Sequence, residues 1–212
     1  MRKIHILLIM LLCQLISLGS FAQKLSALTG AYGGPLITDA ALLSRNGSDE
    51  QEGLHIEYLI DGLESTFWHS DWHGKVSDPH YIQVALNEPL TEGYIVMYMQ
   101  RRQVDNGNHL EEVKMTASAD GETWEDLAEF TLGNAVSLAE VVSEPIPIPE
   151  GKSYAYIRVI NNSATQKFFH AAEFELYNPK EFDLVCDILD KILTKYNDYL
   201  ECTYEVLNVG TE

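Results

Sequence analysis

The chain carries little positive charge. Its 212 residues include 14 Lys and Arg against 32 Asp and Glu, which gives a formal net charge of −18. A surface of this kind repels the phosphates of nucleic acids and the anionic headgroups of lipids, both of which recruit basic residues. The composition therefore argues against nucleic acid and membrane partners and favours neutral polymers, cations or basic surfaces. A purely solubilising role for the acidic surface remains an alternative.

The sequence also lacks the signatures of common enzymes. It contains no Gly-x-Ser-x-Gly, no His-Glu-x-x-His and no phosphate loop. His69 and His73 have the spacing of a zinc-binding pair on a helix, but their surroundings are not helical and no third ligand stands out. We therefore predict that this chain has no catalytic activity of its own.

One long apolar run is present, over residues 4–18. Arg2 and Lys3 precede it, and the small residues Ser20 and Ala22 follow at the two positions that a signal peptidase reads. Residues 1–22 are therefore predicted to be a secretory signal peptide. We expect the protein to be exported to a periplasm, to the cell surface or to the outside.

The pattern between residues 46 and 178 predicts an all-β domain. Apolar residues alternate or cluster in short segments at residues 81–86, 94–99, 113–118, 154–160 and 174–177. Asp120-Gly121 is a strong signal for a tight hairpin turn, because Gly accepts positive φ at little cost. Several short strands with turns between them indicate a β-sandwich. Residues 23–45 read as a linker or a loosely packed lead-in strand.

Residues 179–212 predict an amphipathic α-helix. Asn178, Pro179 and Glu181 form a helix start, and an apolar stripe follows at three- and four-residue steps. Either this helix packs on the sandwich or its helical partner lies in residues that this chain lacks. On a continuous helix Cys186 and Cys202 are roughly 24 Å apart, beyond the reach of about 7 Å that a disulfide allows. We expect two free thiols.

Six segments in this order resemble the landmarks of the coagulation-factor type C, or discoidin, domain, a family similar to carbohydrate-binding module family 32: residues 59–62, 65–70, 79–84, 118–124, 156–159 and 172–177. The resemblance implies a jelly-roll-like β-sandwich without catalysis of its own. It also implies a structural calcium site at one edge and ligand binding by loops at one end.

The resemblance further implies the calcium ligands. Calcium takes six to eight oxygen ligands and tolerates irregular geometry. The carboxylates would come from Asp61 and Glu173, a hydroxyl and a carbonyl from Thr66, and further backbone carbonyls from Tyr58, Leu63 and Ala172. Leu63 departs from the usual pattern, because relatives often carry Asp or Asn there.

A sugar site needs a flat apolar surface for the ring and a few polar groups for its hydroxyls. Three segments supply such residues: 68–75, 100–109 and 161–170. Trp72 is the platform candidate, whereas Trp68 and Trp124 are predicted to be core residues. By resemblance, Arg102 and Asn108 have the spacing of the hydroxyl-binding pair. The full candidate set is Trp72, His73, Arg101, Arg102, Asn108 and Phe168.

The function expected from these observations is that of a secreted, non-catalytic glycan-binding domain, stabilised by calcium and accessory to a polysaccharide-processing protein. The alternative is a protein-binding or adhesion module that uses the sandwich loops or the C-terminal helix. The fold class alone does not separate the two, because sandwiches serve many functions.

Overall fold

The structure is a computed structural model that describes residues 28, 32–75, 79–103, 109–133, 136–164 and 167–180. The predicted signal peptide lies outside these ranges. So do residues 181–212, where the helix, its two cysteines and any contact with a helical module were expected. None of the helices in the described ranges combines the length and the hydropathy that crossing a bilayer requires.

The described residues form strands joined by loops and three short 3₁₀ turns, Ala40–Leu42, Glu50–Glu52 and Ile56–Ile60. The strands are β1 (Leu43–Arg45), β2 (Trp68–His69), β3 (Tyr81–Leu90), β4 (Tyr94–Gln100), β5 (Glu112–Ser118), β6 (Glu125–Thr131), β7 (Glu140–Val142), β8 (Ile146–Pro147), β9 (Tyr154–Asn161), β10 (His170–Ala171) and β11 (Glu173–Tyr177).

Two antiparallel sheets form a β-sandwich, as the sequence predicts. One sheet has the strand order β1-β3-β9-β5-β6, and the other has the order β11-β4-β7, with β8 also paired to β4. A short β10-β2 pair joins the loops at one end. The core lies between the sheets because alternate residues of each strand point inward; on β3 these are Ile82 and Val84, and on β4 they are Ile95, Met97 and Met99.

The strand predicted at residues 94–99 is confirmed, and both of its faces are buried. The outward residues Val96 and Tyr98 of β4 pack with Tyr177 of β11, and Leu28 and Tyr32 cover this outer face. The remaining predicted strands are also confirmed, and most extend further than the sequence pattern indicated.

Two local predictions are corrected. The Asp120-Gly121 turn is not a two-residue hairpin: residues 119–124 separate β5 from β6. The longer loop is stabilised by the Asp120 carboxylate, whose Oδ1 accepts hydrogen bonds from the amides of Glu122 and Thr123, each at 2.8 Å. Trp124 is half-buried rather than in the core. It packs under the guanidinium of Arg158, 3.7 Å from the ring centroid, on the outer face of the sheet.

The lead-in segment contributes to the sandwich. The amide of Leu36 donates to the carbonyl of Leu176 at 2.7 Å, and Ile37 is fully buried. Leu43, the first residue of β1, pairs with Val84 of β3. The described sandwich therefore begins before residue 46, where the sequence pattern placed its start.

Candidate functional site

Three loops meet at one end of the sandwich, and Ser70 joins two of them. The amide of Ser70 donates to the carbonyl of Phe169, and the amide of Phe169 donates to the Ser70 hydroxyl, both at 2.9 Å. Nearby, His109 forms an isolated bridge with His170. The described parts of the segments 68–75, 100–109 and 161–170 thus converge at one end of the sandwich.

A pocket of about 520 Å³ opens between these loops. Its most exposed aromatic side chain is Trp72, with 50% of its surface accessible. The ring centroid of His69 lies 6.1 Å from that of Trp72 and 5.7 Å from that of Phe168. The lining combines apolar, aromatic, basic and acidic side chains: Glu52, Leu54, Phe67, His69, Trp72, Arg102, Phe168 and His170.

Arg102 supplies the cation of the pocket. Its guanidinium carbon lies 3.8 Å from the centroid of the Phe67 ring, and burial lowers the pKa of Arg102. Within the described residues its Nε has no hydrogen-bond partner. By contrast, Lys114 and Lys152 each have a carboxylate oxygen within 2.7 Å. Arg102 therefore lines the pocket with a guanidinium that no carboxylate of the described residues pairs.

His69 supplies an acceptor. Its Nδ1 lies 2.6 Å from the carbonyl oxygen of Ser70. Because a carbonyl oxygen only accepts, Nδ1 carries the hydrogen, and Nε2 of the neutral ring is left as an acceptor. Burial lowers the pKa of His69. Burial, together with the nearby Arg102 guanidinium and the His69 and His109 rings, lowers the pKa of His170 to about 2. Both rings are therefore neutral at pH 7.

The structure separates the six predicted sugar-site residues. Trp72, Arg102 and Phe168 line the pocket. His73 lies beside Trp72, with the ring centroids 4.7 Å apart, and its Nδ1 is 2.8 Å from Asp49 Oδ1. Asn108 lies outside the described residues.

Arg101 does not reach the pocket. It is fully buried inside the sandwich, where its guanidinium donates to the carbonyl of Leu110 at 2.5 Å and to those of Leu132 and Gly133 at 3.4 Å. Burial lowers its pKa to about 10. The expected role in ligand binding is thus replaced by a structural one, because the guanidinium is buried and both of its terminal nitrogens donate to backbone carbonyls.

Five lining residues were not in the predicted candidate set: Glu52, Leu54, Phe67, His69 and His170. His69 and His170 belong to β2 and β10, two-residue strands too short to produce a periodic pattern. Their pairing alone brings both rings to the pocket. The dense aromatic and histidine content of residues 67–73 is the signal that could have identified His69 as a lining residue.

An acidic corner lies at a second place, between the turn Ile56–Ile60 and β11. Asp61 follows the turn, and its Oδ1 accepts from the amide of Leu63 at 2.8 Å. The hydroxyl of Thr66 lies 2.8 and 3.0 Å from the two Asp61 carboxylate oxygens and 2.9 Å from the carbonyl of Leu63. These oxygens crowd into a small volume, the arrangement in which a hard cation binds.

Glu173 completes this corner. It is only 5% exposed, and within the described residues its Oε1 has no hydrogen-bond partner. Burial and the neighbouring Asp61 carboxylate raise its pKa to about 8. Tyr58 lies in the turn before Asp61, and Ala172 directly precedes Glu173. Two adjacent carboxylates with an unsatisfied buried oxygen fit a divalent cation.

Comparison with known proteins agrees with this architecture. The family model of the F5/8 type C domain matches residues 44–174. No curated protein matches the chain. Among solved structures, CpGH89CBM32-5 from Clostridium perfringens, in complex with GalNAc-β-1,3-galactose, is 16% identical, with a TM-score of 0.54 over 68% of this chain and 99% of that one.

Two further structures are similar at the level of the fold. CBM32-3 from a family 31 glycoside hydrolase of Clostridium perfringens is 22% identical, with a TM-score of 0.52 over 68% of this chain and 95% of that one. The C-terminal domain of a chitobiase from Bacteroides fragilis is 21% identical, with a TM-score of 0.50 over 66% and 93%. With the family model covering more than half of its residues, this chain belongs to the F5/8 type C domain family.

Proposed function

We propose that this chain is a glycan-binding domain and that its sugar site is the pocket between Trp72 and Phe168. The observation that carries the proposal is the half-exposed ring of Trp72 in one pocket with the guanidinium of Arg102 and the neutral ring of His69, whose Nε2 is an acceptor. A pyranose ring stacks on an aromatic face while its hydroxyls both donate and accept hydrogen bonds. The glycan complex of CpGH89CBM32-5, which shares the fold, supports the proposal.

The pocket lining argues against catalysis as well. Glycosidases use two carboxylates on either side of the scissile bond. Among the lining residues only Glu52 carries a carboxylate. A binding role fits this single acid, and we include in the proposal that the domain is non-catalytic.

The test is a glycan-array screen of the chain, followed by calorimetry with the best array ligand and with GalNAc-β-1,3-galactose. Loss of the Trp72 ring removes the stacking surface, so Trp72→Ala is expected to weaken binding by about tenfold or more, or at least about 1.4 kcal/mol. The matched control is Trp124→Ala, which removes a half-buried ring outside the pocket lining. Binding that survives Trp72→Ala unchanged would contradict the proposed site.

We further propose that the acidic corner binds calcium. Asp61 and Glu173 would supply carboxylates, Thr66 its hydroxyl and carbonyl, and Tyr58, Leu63 and Ala172 backbone carbonyls. The unsatisfied Oε1 of Glu173 beside Asp61 supports this ligand set. A bound cation would cancel the repulsion between the two carboxylates and tie the turn before Asp61 to β11.

Export belongs to the same proposal. The charged start, apolar run and small-residue site of residues 1–22 support secretion, and sequencing of the exported protein's N-terminus tests it. A role accessory to a polysaccharide-processing protein is supported by the fold shared with CBM32-3, which comes from a glycoside hydrolase.

A further inference from the structure

We propose that Asp49 is the positioning residue that holds Trp72 at the mouth of the pocket. The inference rests on the proposed function, because Trp72 is the platform of the proposed sugar site. Asp49 does not line the pocket itself. It acts through the loop of residues 69–75, which its carboxylate holds by contacts to both backbone and side chains.

The carboxylate of Asp49 is used for long-range contacts instead of a local one. Asp49 is the N-cap residue of the turn Glu50–Glu52, a position where an Asp side chain usually accepts a hydrogen bond from the first turn. Here it makes no such bond. Its Oδ2 accepts from the amide of Trp72 at 2.8 Å, and its Oδ1 lies 2.8 Å from Nδ1 of His73. The side chain therefore joins two loops that are far apart in sequence.

A second aspartate, Asp39, makes the N-cap hydrogen bond to its own turn that Asp49 lacks. Asp39 is the N-cap residue of the turn Ala40–Leu42, and its Oδ1 accepts from the amide of Ala41 at 2.9 Å. The two aspartates precede turns of the same type and length. Only Asp49 directs its carboxylate away from its own turn, so the Asp39 site provides a matched control.

Because the Asp49 carboxylate is buried, loss of its contacts to the loop of residues 69–75 destabilises the structure. Asp49 is fully buried, and a buried carboxylate is stable only when it is paired and hydrogen-bonded. Its partners come from one loop: the Trp72 amide, the His73 ring and Lys75, whose Nζ lies 3.7 Å from Oδ1. Its own amide also donates to the carbonyl of His69 at 3.2 Å.

Trp72 depends on this support because its ring is weakly held. The indole is half exposed, and its ring contacts are with His69 at 6.1 Å and His73 at 4.7 Å. His73 is itself fixed by Asp49 and by the Oδ1 of Asp71, which accepts from its amide at 3.1 Å. Both the backbone of Trp72 and the ring packed beside it are thus held by the Asp49 carboxylate.

The first readout is glycan affinity in the full chain. Asp49→Ala is expected to weaken binding of the best array ligand by about tenfold, although Asp49 touches no ligand. Asp39→Ala removes an N-cap side-chain bond at an exposed residue outside the pocket lining and is expected to leave affinity within about twofold. Asp49→Asn retains one carbonyl acceptor and is expected to give an intermediate loss. It also keeps the test valid if the Ala variant does not fold.

The second readout needs no sugar. Hydrogen exchange of the Trp72 amide is expected to be slow in the wild type and in Asp39→Ala, and markedly faster in Asp49→Ala. Wild-type affinity together with an unchanged Trp72 exchange rate in a folded Asp49→Ala variant would overturn the inference and leave the proposed function standing. If the wild type binds no glycan, the proposed function fails, and the exchange rate alone decides whether Asp49 positions Trp72.

Discussion

The protonation state of His69 decides which hydrogen bonds the proposed sugar site offers. With Nδ1 donating to the Ser70 carbonyl, the neutral ring presents Nε2 as an acceptor. Protonation converts that acceptor into a donor, so the pocket gains a second cation beside Arg102 and loses the acceptor that His69 provides. Because burial lowers the pKa of His69 below its ordinary value of 6.5, the acceptor persists through neutral pH.

This residue gives a pH prediction. Glycan affinity is expected to stay constant from pH 8 to 6.5 and to fall only at lower pH, as His69 becomes protonated. His170 does not contribute in this range, since its pKa is about 2. Calorimetry between pH 8 and 5 at saturating calcium measures the effect. His69→Gln keeps an acceptor that does not titrate, so its affinity should not follow this profile; a wild-type curve that rises on acidification would contradict the assignment.

At the scale of secondary structure elements, Arg101 connects the loops that surround the pocket. It directly follows β4, and its guanidinium donates to carbonyls in the segment before β5 and in the one after β6. Its own amide donates to the carbonyl of Ala139, just before β7, at 2.8 Å. The buried side chain thus joins the loop after β4 to the segments before β5 and after β6. Arg102 directly follows this anchored residue and lines the pocket.

Removal of this connection should destabilise the domain. Arg101→Leu leaves buried carbonyls without donors, so we expect a loss of about 2–4 kcal/mol in the free energy of unfolding, measured by chemical denaturation. Arg101→Lys should retain only part of the lost free energy of unfolding, because the Lys ammonium lacks the planar guanidinium that donates to several carbonyls at once. The control Arg158→Leu, at a half-buried site, should cost about 1 kcal/mol or less. Equal effects of the two Leu variants would refute the connecting role.

At the scale of the whole molecule, the acidic corner couples stability to pH and to calcium. In the calcium-free fold Glu173 binds its proton more tightly than in the unfolded chain, since its pKa is about 8 rather than 4.5. The resulting contribution to stability is complete below about pH 4.5 and is lost as the pH rises through 8. Calcium binds the deprotonated form and is expected to reverse this loss.

Thermal unfolding with chelator and with calcium tests the coupling. In chelator, the wild type is expected to lose about 3–4 kcal/mol, or roughly 6–16 °C in Tm, between pH 5 and 8 relative to Glu173→Gln. Calcium at about one hundred times its Kd should add about 2.7 kcal/mol to the wild type at pH 8 and little to Glu173→Gln. Glu175→Gln, two residues along the same buried strand, should keep the calcium response. A wild-type Tm that is the same with chelator as with calcium would refute the calcium proposal.

Local sequence patterns predicted the strands well, but they could not show which of two neighbouring loop side chains is buried and which one lines the pocket. The alternation of Ile82 and Val84 with polar residues depends only on the two-residue period of a strand, so it is visible in the sequence. Arg101 and Arg102 follow each other in the loop after β4, where that period no longer applies. The sequence offered both to the ligand, and the resemblance favoured Arg102. Only the burial of the Arg101 guanidinium among three carbonyls removed Arg101 from the candidate set.

The sequence by itself determined the β-sandwich, the acidic segment around Asp61, the aromatic loop around Trp72 and the acid at Glu173, because each is a property of residues adjacent in the chain. Tertiary structure decided which of these meet. The pairing of β2 with β10 brings His69 and His170 to one pocket, and the packing of the turn before Asp61 against β11 brings Asp61 to Glu173. Such contacts depend on strand pairing across the whole domain, which no local period encodes.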